Sequence, residues 1–308
     1  MRKIVIAVDG SIHSRHAVKY AAEKYPHLQK TSFTLLNIQP TISQYLADEA
    51  KKTTSGKAKL EKLSEQNRQI ALELLSEFKN TLISLGVKDS DIECATQARR
   101  HNVARDILDY AEKKNVCAIL VGRRGVSYMQ ELMLGSVTAE LLAHSKLIPI
   151  WVVDNVAPAG HLLVAVDGSP GSLRAVDHVS FVQAGCKLEK IILLHITPTL
   201  SEFCPVESAK QNEEMNAFIK NSDQACTDNF NSRALNILQH AGFSDKDIEF
   251  QTIDSRWFIG KSIIEASKKL NAGTIVVGKS DSAEASHIGK IARYIINKFT
   301  NGVIWLVP

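Results

Sequence analysis

The stretch IVIAVDGS, residues 4–11, is an apolar run that ends in Asp-Gly-Ser, and LLVAVDGS, residues 162–169, repeats it at a separation of 167 − 9 = 158 positions. Other segments return at nearly the same separation. LLNIQP at 35–40 matches LLHITP at 193–198, also at 158, and the Ile-Trp pair at 150–151 returns at 304–305, a separation of 154. A slowly falling separation is what small loop deletions leave in a duplicated domain, so an internal repeat organises the chain.

The repeat predicts two domains. The chain of 308 residues exceeds the usual size of one domain, and each half is long enough to bury its own core. Asn155 to Gly160 contain a proline and a glycine and suit a short linker. We therefore predict domains at 1–154 and 161–308, joined by a linker at 155–160.

Within the first half, short β-branched runs alternate with helical patterns. The runs lie at residues 3–8, 33–38, 91–96, 117–121 and 148–153. Apolar residues at helical spacing between the second and third runs end at Gly86, and they are Leu60, Leu63, Ile70, Leu74, Phe78 and Leu82. Apolar strands separated by amphipathic helices predict a parallel sheet covered on both faces. The fold class is α/β, with two tandem doubly wound, Rossmann-like domains.

The loop after the fourth strand carries a glycine pattern, GRRGVSYMQELMLGS at 122–136. Ligands of doubly wound sheets bind beyond the carboxyl ends of the strands. Glycine lets backbone approach a ligand closely, and a helix start offers unpaired N–H groups to an anion. A phosphate chain is the natural occupant, and Ser136 could both cap the following helix and donate its hydroxyl to a phosphate oxygen.

These motifs resemble the universal stress protein family in its tandem two-domain form. The AVDGS turn, the end of the second strand and the spacing Gly-x2-Gly-x9-Gly-Ser carry the resemblance, which spans nearly the whole chain. That spacing marks the ATP-binding branch of the family. The resemblance implies a fold like that of the adenine nucleotide alpha hydrolases and an ATP-binding protein with a regulatory or protective role in the stress response.

The resemblance also implies a set of site residues in the first half. Asp9 would lie beside the ribose or adenine, and Ile38 would offer main-chain contacts to the base. The remaining expected contacts, to ribose and phosphates, are Gly122, Arg123, Gly125, Gly135, Ser136 and Val137. Magnesium would bridge phosphate oxygens without a dedicated protein ligand. The ligand could equally be ADP or AMP.

Alternatives to these roles stay open from the sequence alone. Asp9 and Asp167 could only cap the turn into the helix that follows, because Asp-Gly-Ser is good turn chemistry anywhere. Arg123 and Arg124 are adjacent and cannot both reach one phosphate, and Arg123 is the preferred contact. Residues 99–101, Arg-Arg-His, could rim the same cleft or be solvated loop charges.

The second half departs from the glycine pattern. Gly278 is kept, but Asp281 replaces the second glycine and Lys290 replaces the serine after Gly289. A carboxylate near the phosphate path adds repulsion, roughly 4 kcal/mol at 4 Å and an effective dielectric of 20. We therefore predict one nucleotide site per chain, in the first half, while Lys279 and Lys290 could attract another anion.

Composition bounds the partners and the compartment. The net charge is +4 with basic residues spread along the chain, so no nucleic-acid partner is indicated. No apolar run approaches the roughly 20 residues that cross a bilayer, so no membrane association is expected. The five cysteines lack metal or disulfide spacing, and reduced thiols favour a cytoplasmic protein. The histidines form no metal spacing either, since His13 and His16 lack a third ligand.

The fifth strand of each half is apolar and would lie at a sheet edge, where it invites pairing. Single-domain members of the family dimerise through this strand. A tandem chain can satisfy both edges internally and form an intramolecular pseudo-dimer, while a homodimer of two chains remains possible. The sequence names no protein partner.

Three function classes survive at this point. The intact motif favours an ATP-binding regulatory protein. A slow ATPase is the second, although the Ser-Gly-Gly-x-Asp-Ser loop of adenylyl-transferring relatives is not matched by Val-Asp-Gly-Ser-Ile-His at 8–13. An interaction scaffold with empty clefts is the third. No catalytic residue is assigned, and enzyme activity stays open.

Overall fold

A computed structural model gives the structure of the chain and describes residues 2–28, 30–125, 134–155, 161–185, 190–197, 213–254, 258–280 and 288–308. The chain forms two compact units. The first comprises Met1–Pro26 and Lys30–Leu141, and the second His27–Gln29 and Leu142–Pro308. The predicted Asp281 and most of the predicted linker, 156–160, lie outside the described residues.

In the first unit strands and helices alternate as predicted. The strands are β1 (Arg2–Ala7), β2 (Thr31–Gln39), β3 (Ile92–Ala98) and β4 (Ala118–Gly122). The helices are α1 (Ile12–Lys24), α2 (Gln44–Lys51), α3 (Thr54–Ser84), α4 (Val103–Lys113) and α5 (Ser136–His144), whose last turn belongs to the second unit. All strand pairs are parallel, in the order β3-β2-β1-β4. This arrangement confirms the predicted doubly wound α/β fold.

The strand order creates the place for a site. The chain runs outward from β1 to β2 and β3, and then returns to the other side of β1 to form β4. Ile6 pairs with Leu35 on β2 and with Leu120 on β4, so β1 lies at the centre. The switch point between β1 and β4 is where open α/β sheets bind ligands.

Local sequence explains where the helices begin. Ser11, Ser43, Thr53 and Asn102 stand at the N-caps of α1 to α4, and each side chain accepts a backbone N–H from three residues later. The long helix α3 buries one stripe against the sheet at Ala71, Leu75, Phe78 and Leu82. The helix was predicted, and it begins six residues before Leu60. Of the six apolar residues predicted for its buried face only Phe78 and Leu82 are buried, whereas Leu63 and Ile70 are exposed.

The second unit repeats the pattern. Its strands are β5 (Ile150–Val153), β6 (Leu162–Val166), β7 (Ile191–Thr197), β8 (Ile248–Asp254), β9 (Thr274–Gly278) and β10 (Val303–Val307). Its helices are α6 (Pro170–Gln183), α7 (Glu213–His240), α8 (Ile259–Lys269) and α9 (Lys290–Lys298). The strand order is β5-β10-β9-β6-β7-β8, parallel except for the antiparallel pair of β5 and β10.

The pairing of β5 with β10 confirms that the two fifth strands satisfy each other within one chain. Trp151 lies opposite Trp305, and their rings stack with centroids 4.0 Å apart. Because β5 hydrogen bonds to β10, the spatial division falls at 141/142, before β5. The domains predicted from the sequence repeat, 1–154 and 161–308, have a different boundary from the two spatial units and stay a prediction.

A buried histidine completes this aromatic cluster. Trp151 Nε1 donates a hydrogen bond to His178 Nε2 at 3.1 Å. Burial lowers the pKa of His178 to about 3, so the imidazole is neutral near pH 7 and its Nε2 can accept. The cluster is therefore a core feature of the second unit whose stability depends on an uncharged His178.

Candidate functional site

A cavity of about 290 Å³ lies at the carboxyl ends of β1, β2 and β4 in the first unit. Its volume is at the lower end of the range for small-molecule sites, roughly 300–1,000 Å³. The lining residues are Ala7, Val8, Asp9, Ser14, Leu36, Ile38, Val103, Ile107, Val121, Gly122, Arg124, Gly125, Gly135, Ser136, Val137 and Thr138. Seven of the eight residues predicted for the site lie in this set, and Arg123 does not.

The carboxylate of Asp9 is held in place at the start of α1. Its Oδ1 accepts the backbone N–H of Ser11 at 3.0 Å and the hydroxyl of Ser14 at 2.6 Å. The Ser14 hydroxyl also accepts the backbone N–H of Asp9 at 3.1 Å. Two donors on one oxygen fix the orientation of the carboxylate. Asp9 therefore both caps the turn into α1 and lines the cavity.

Gly125 lies directly against this carboxylate. A Cβ at position 125 would stand 2.5 Å from Asp9 Oδ2. Glycine is therefore required here by the close approach of the Asp9 side chain to the loop after β4. The loop and the turn after β1 form adjoining walls of one cavity.

Glycine is needed at position 122 for helix packing and not, as expected, for the close approach of a ligand. A Cβ there would stand 2.7 Å from the carbonyl carbon of His13, so the first turn of α1 packs directly on the end of β4. In the second unit a Cβ on Gly278 would collide with the carbonyl of Gly171 at the start of α6. The same glycine persists where the rest of the motif is lost, because helix packing on the strand needs it in both repeats.

Gly135 and Ser136 form the opposite wall, at the start of α5. Gly135 N–H donates to the Arg123 carbonyl at 2.9 Å, which joins the two ends of the glycine loop. The Gly135 carbonyl accepts the first helical bond, from Ala139 N–H at 2.9 Å. Gly135 is thus the N-cap, and Ser136 is the first helical residue instead of the predicted cap. The exposed Ser136 and the half-buried Val137 line the cavity beside the helix N-terminus.

The two adjacent arginines are placed oppositely to the expectation. Arg123 is 1% exposed and does not line the cavity, whereas Arg124 does. The structure therefore contradicts the predicted place of Arg123 at the cavity, and Arg124 is the arginine that lines it.

The wall formed by β2 and α4 is apolar. Leu36 and Ile38 lie two residues apart on β2 and share a face, while Val103 and Ile107 lie one turn apart on α4. The sequence indicated Ile38 at the strand end, but it missed Leu36, Val103 and Ile107 as cavity residues. For the residues on α4, the helical spacing of apolar residues that includes Ile107 was the pattern that could have indicated them.

The predicted rim residues 99–101 do not line the cavity. The backbone N–H groups of Arg100 and His101 donate to the buried Asp106 carboxylate at 2.8 and 3.2 Å, and the Arg99 side chain bonds to Thr41. His101, Asp106 and Asp109 also form a cluster of potential metal ligands. Since the Asp106 oxygens already accept these backbone donors, the cluster is accounted for by loop closure.

The second unit repeats the aspartate turn of the first unit, but its basic residues differ. Asp167 Oδ1 accepts the backbone N–H of Ser169 at 3.1 Å and the hydroxyl of Ser172, as Asp9 does in the first unit. Burial acts to raise the pKa of Asp167, but these hydrogen bonds outweigh it and the pKa is lowered. The carboxylate is therefore ionised at neutral pH.

Lys279 does not serve as an anion contact. Its ammonium donates to the carbonyls of Leu142, Ala143 and Ser145 at 3.3, 3.0 and 3.2 Å. All three donors of the ammonium are thus directed to the carboxyl end of α5. Burial, with a smaller effect of Lys146, lowers the pKa of Lys279. The expectation that Lys279 attracts an anion is therefore wrong, while Lys290 is exposed at the start of α9.

Among the described residues, no helix combines the length and the apolar character that a bilayer-spanning helix needs.

Comparison with known proteins identifies the family. The model of the universal stress protein family matches the chain twice, at residues 1–154 and 159–305. A universal stress protein of Mycolicibacterium smegmatis is 27% identical over 68% of this chain and 69% of its own length. Universal stress protein YxiE of Bacillus subtilis is 29% identical over 49% of this chain and 97% of its own length.

A solved structure that aligns with nearly the whole chain agrees on the fold. A universal stress protein from Archaeoglobus fulgidus covers 99% of this chain and 97% of its own, with a TM-score of 0.66 and 16% identity. Another from the same organism, solved in complex with dAMP, covers 48% of this chain and 98% of its own, with a TM-score of 0.34 and 16% identity. The double match of the family model covers almost the entire sequence, and the chain therefore belongs to the universal stress protein family, in a tandem two-domain form.

Proposed function

We propose that the first unit binds an adenine nucleotide, ATP in the first instance, in the cavity at the carboxyl ends of β1, β2 and β4. The observation that carries the proposal is the division of the cavity wall. One side is apolar, and on the other the two ends of the glycine loop are joined by the Gly135–Arg123 hydrogen bond and followed by the start of α5.

The chemistry of each wall fits one part of a nucleotide. Leu36, Ile38, Val103 and Ile107 offer an apolar slot for the adenine ring. The fixed carboxylate of Asp9 can accept hydrogen bonds from ribose hydroxyls or the adenine amino group. The first-turn N–H groups of α5 and the Ser136 hydroxyl face the end of the cavity suited to phosphates.

Magnesium would be carried by the nucleotide. Among the described residues that line the cavity Asp9 is the sole carboxylate, and its Oδ1 is occupied by the Ser11 N–H and the Ser14 hydroxyl. A Mg²⁺ ion prefers six oxygens and keeps several waters, with substrate phosphates as its usual partners in nucleotide sites. The residues present therefore fit a metal bridged through phosphate oxygens and add no dedicated metal cage.

Binding, with a regulatory or protective role, is a better proposal than catalysis. Hydrolysis needs a group that positions or deprotonates the attacking water. In the part of the cavity wall that the structure describes there is no histidine or glutamate, and the one aspartate is bound to the turn through Oδ1. We propose that occupancy of the site alters the affinity for a partner protein, and that any ATP hydrolysis is slow.

One nucleotide per chain is proposed, with the second repeat as the empty counterpart. Lys290 stands where the first repeat has Ser136, and Lys279 is directed to the end of α5. The tandem repeat fits an intramolecular pseudo-dimer, which the pairing of β5 with β10 supports. A homodimer of two chains would be an additional association.

Nucleotide analysis of purified protein tests this function. The full chain is purified without added nucleotide, extensively washed, denatured, and the released small molecules are identified by mass spectrometry. We expect an adenine nucleotide at up to one equivalent per chain, and exchange with added ATP in the native protein. Protein that is free of nucleotide, and that takes up none at millimolar MgATP, would favour an interaction scaffold with empty clefts.

A further inference from the structure

We infer that helices α8 and α9 of the second unit form a basic face that docks an acidic segment of a partner protein. Together the two helices carry six lysines or arginines and one glutamate, a net charge of +5, whereas the whole chain carries +4. The structure thus gathers on one surface cations that are spread over residues 261–298 of the sequence. They are Lys261, Lys268, Lys269, Lys290, Arg293 and Lys298.

Helical spacing directs these charges to solvent. Positions 261, 265, 268 and 269 follow one side of α8, and positions 290, 293 and 298 follow one side of α9. All six cations are exposed, whereas the apolar Ile263 and Ile264 of α8 and Ile295 and Ile296 of α9 are buried. Each helix therefore carries a basic stripe on the side that faces away from the core.

The two stripes lie side by side because α8 and α9 pack on each other. Phe258, at the N-cap of α8, contacts Tyr294 in the middle of α9, with ring centroids 4.8 Å apart. A Cβ on Gly260 would lie 2.9 Å from Tyr294 Cδ1, so the start of α8 approaches α9 closely. Both helices connect parallel strands and run in the same direction. One occupant can therefore contact both stripes.

Most of the basic face is not paired within the protein. Lys261 pairs with Glu265 on the next turn at 3.9 Å, and Arg293 Nη2 donates to the Ile288 carbonyl at 3.4 Å. The other four cations make no ion pair with any residue that the structure describes, and they are Lys268, Lys269, Lys290 and Lys298. Like charges on adjacent helices repel one another, so an anionic partner stabilises such a face.

The fold itself does not require this charge. In the first repeat α4 and α5 follow the third and fourth strands, as α8 and α9 do in the second. The helices α4 and α5 together carry two cations and four carboxylates, a net charge of −2. The same two-helix layer thus differs by 5 − (−2) = 7 charges between the repeats. The basic face is therefore a property of the second repeat alone.

The basic face fits an acidic protein segment better than a uniform polyanion. Glu265 is exposed in the middle of the α8 stripe, so a membrane surface or a phosphate backbone would place negative charge against it. A peptide can place its carboxylates beside the lysines and a neutral residue beside Glu265. Phe258 is 39% exposed at the start of α8 and offers contact to an apolar side chain of the partner, as aromatic residues do at protein interfaces.

Fluorescence anisotropy of a labelled acidic peptide with the full chain tests this inference, and the assay contains no nucleotide. The probe is a peptide of about twelve residues, matched to the length of α8, with glutamates at helical spacing and leucine at one end. Its counterpart carries glutamine in place of glutamate. The charge-reversed variant is Lys268→Glu with Arg293→Glu. The matched control, Lys57→Glu with Lys62→Glu, changes the net charge equally at exposed positions of α3.

We expect wild type to bind the glutamate peptide and not its glutamine counterpart, with an affinity that falls as salt is added. The charge-reversed variant should lose about 10-fold or more in affinity, and the α3 control less than about twofold. Equal losses in the two variants would overturn the inference, and so would a wild type that binds no glutamate peptide up to millimolar concentrations. Because nucleotide is absent, neither result bears on the proposed function of the first repeat.

Other polyanions decide whether the occupant is a protein. Phosphatidylserine vesicles and single-stranded oligothymidylate are titrated with the same variants. If either binds wild type more tightly than the peptide does, and the charge-reversed variant loses it, the acidic-protein assignment is wrong. Should the charge-reversed variant fold poorly by circular dichroism, Lys268→Ala with Lys290→Ala removes two charges without reversing them. Wild-type affinity for the glutamate peptide in that folded variant would also overturn the inference.

Discussion

Replacing Gly125 with alanine adds one methyl group at the point where the glycine loop meets Asp9. The new Cβ would stand 2.5 Å from Asp9 Oδ2, and ordinary contact begins at 3.4 Å, so the carboxylate must retreat by 3.4 − 2.5 = 0.9 Å. The Ser14 hydroxyl lies 2.6 Å from Asp9 Oδ1, and a retreat of this size lengthens that bond to as much as 3.5 Å and so weakens it. The substitution therefore displaces Asp9 while leaving the sheet untouched.

The expected magnitudes follow from the lost contacts. A hydrogen bond to a charged group contributes about 1.5–3 kcal/mol, and replacing glycine by alanine returns about 0.4–1 kcal/mol by restricting the unfolded chain. We expect the free energy of unfolding to fall by about 1–2 kcal/mol, so the chain stays folded. A displaced Asp9 no longer accepts from the nucleotide, and this second loss weakens binding about 10- to 100-fold.

The matched control is Gly289→Ala in the second repeat. Among the described residues, the nearest neighbour of a Cβ at position 289 is Ser280 Cβ at an ordinary 3.7 Å, and the backbone φ of −54° suits alanine. Affinity for MgATP, measured on both full-length variants and on wild type, should fall only for Gly125→Ala. Equal affinities for Gly125→Ala and wild type would refute the placement of Asp9 and Gly125 in a shared ligand wall.

Three further outcomes are expected for the rest of the molecule. Because His178 has a pKa of about 3 in the folded chain and about 6.5 when unfolded, its contribution is complete above pH 6.5 and is lost as pH falls towards 3. Urea unfolding should show wild type losing about 2 kcal/mol more than His178→Gln between pH 6.5 and 4.5, and parallel curves would contradict the assignment. Lys279→Met leaves the α5 carbonyls without their donor, and calorimetry should show a loss of about 2–3 kcal/mol; an unchanged melting temperature would contradict the capping role. Gly122→Ala forces α1 away from β4 and should cost about 1–3 kcal/mol in urea unfolding, whereas unchanged stability would show that His13 does not pack on the strand.

The fold was predictable because each half carries its signal locally. The repeated AVDGS turn and the apolar strand runs fix the alternation of strands and helices, and the observed strands of the first repeat begin and end within two residues of the predicted ones. The pairing of β5 with β10 was also predictable, since an apolar fifth strand needs a partner.

Side-chain direction in the glycine loop was not predictable from sequence. Nothing in the Arg123–Arg124 pair states which guanidinium points inward, because that depends on the buried space beside Arg123. The packing role of Gly122 could not be predicted either, because its neighbour His13 is 109 residues away along the chain. The role of Lys279 likewise depends on the position of the α5 carboxyl end, which no local pattern encodes.

The central claim is that one adenine nucleotide binds per chain, in the first repeat. Calorimetric titration of the intact protein with MgATP tests it most directly, because the method reports both affinity and stoichiometry. We predict a single class of site with a stoichiometry near one, and a markedly reduced signal for Gly125→Ala but not for Gly289→Ala. A titration that stays flat up to millimolar MgATP, or a stoichiometry of two, would contradict the claim.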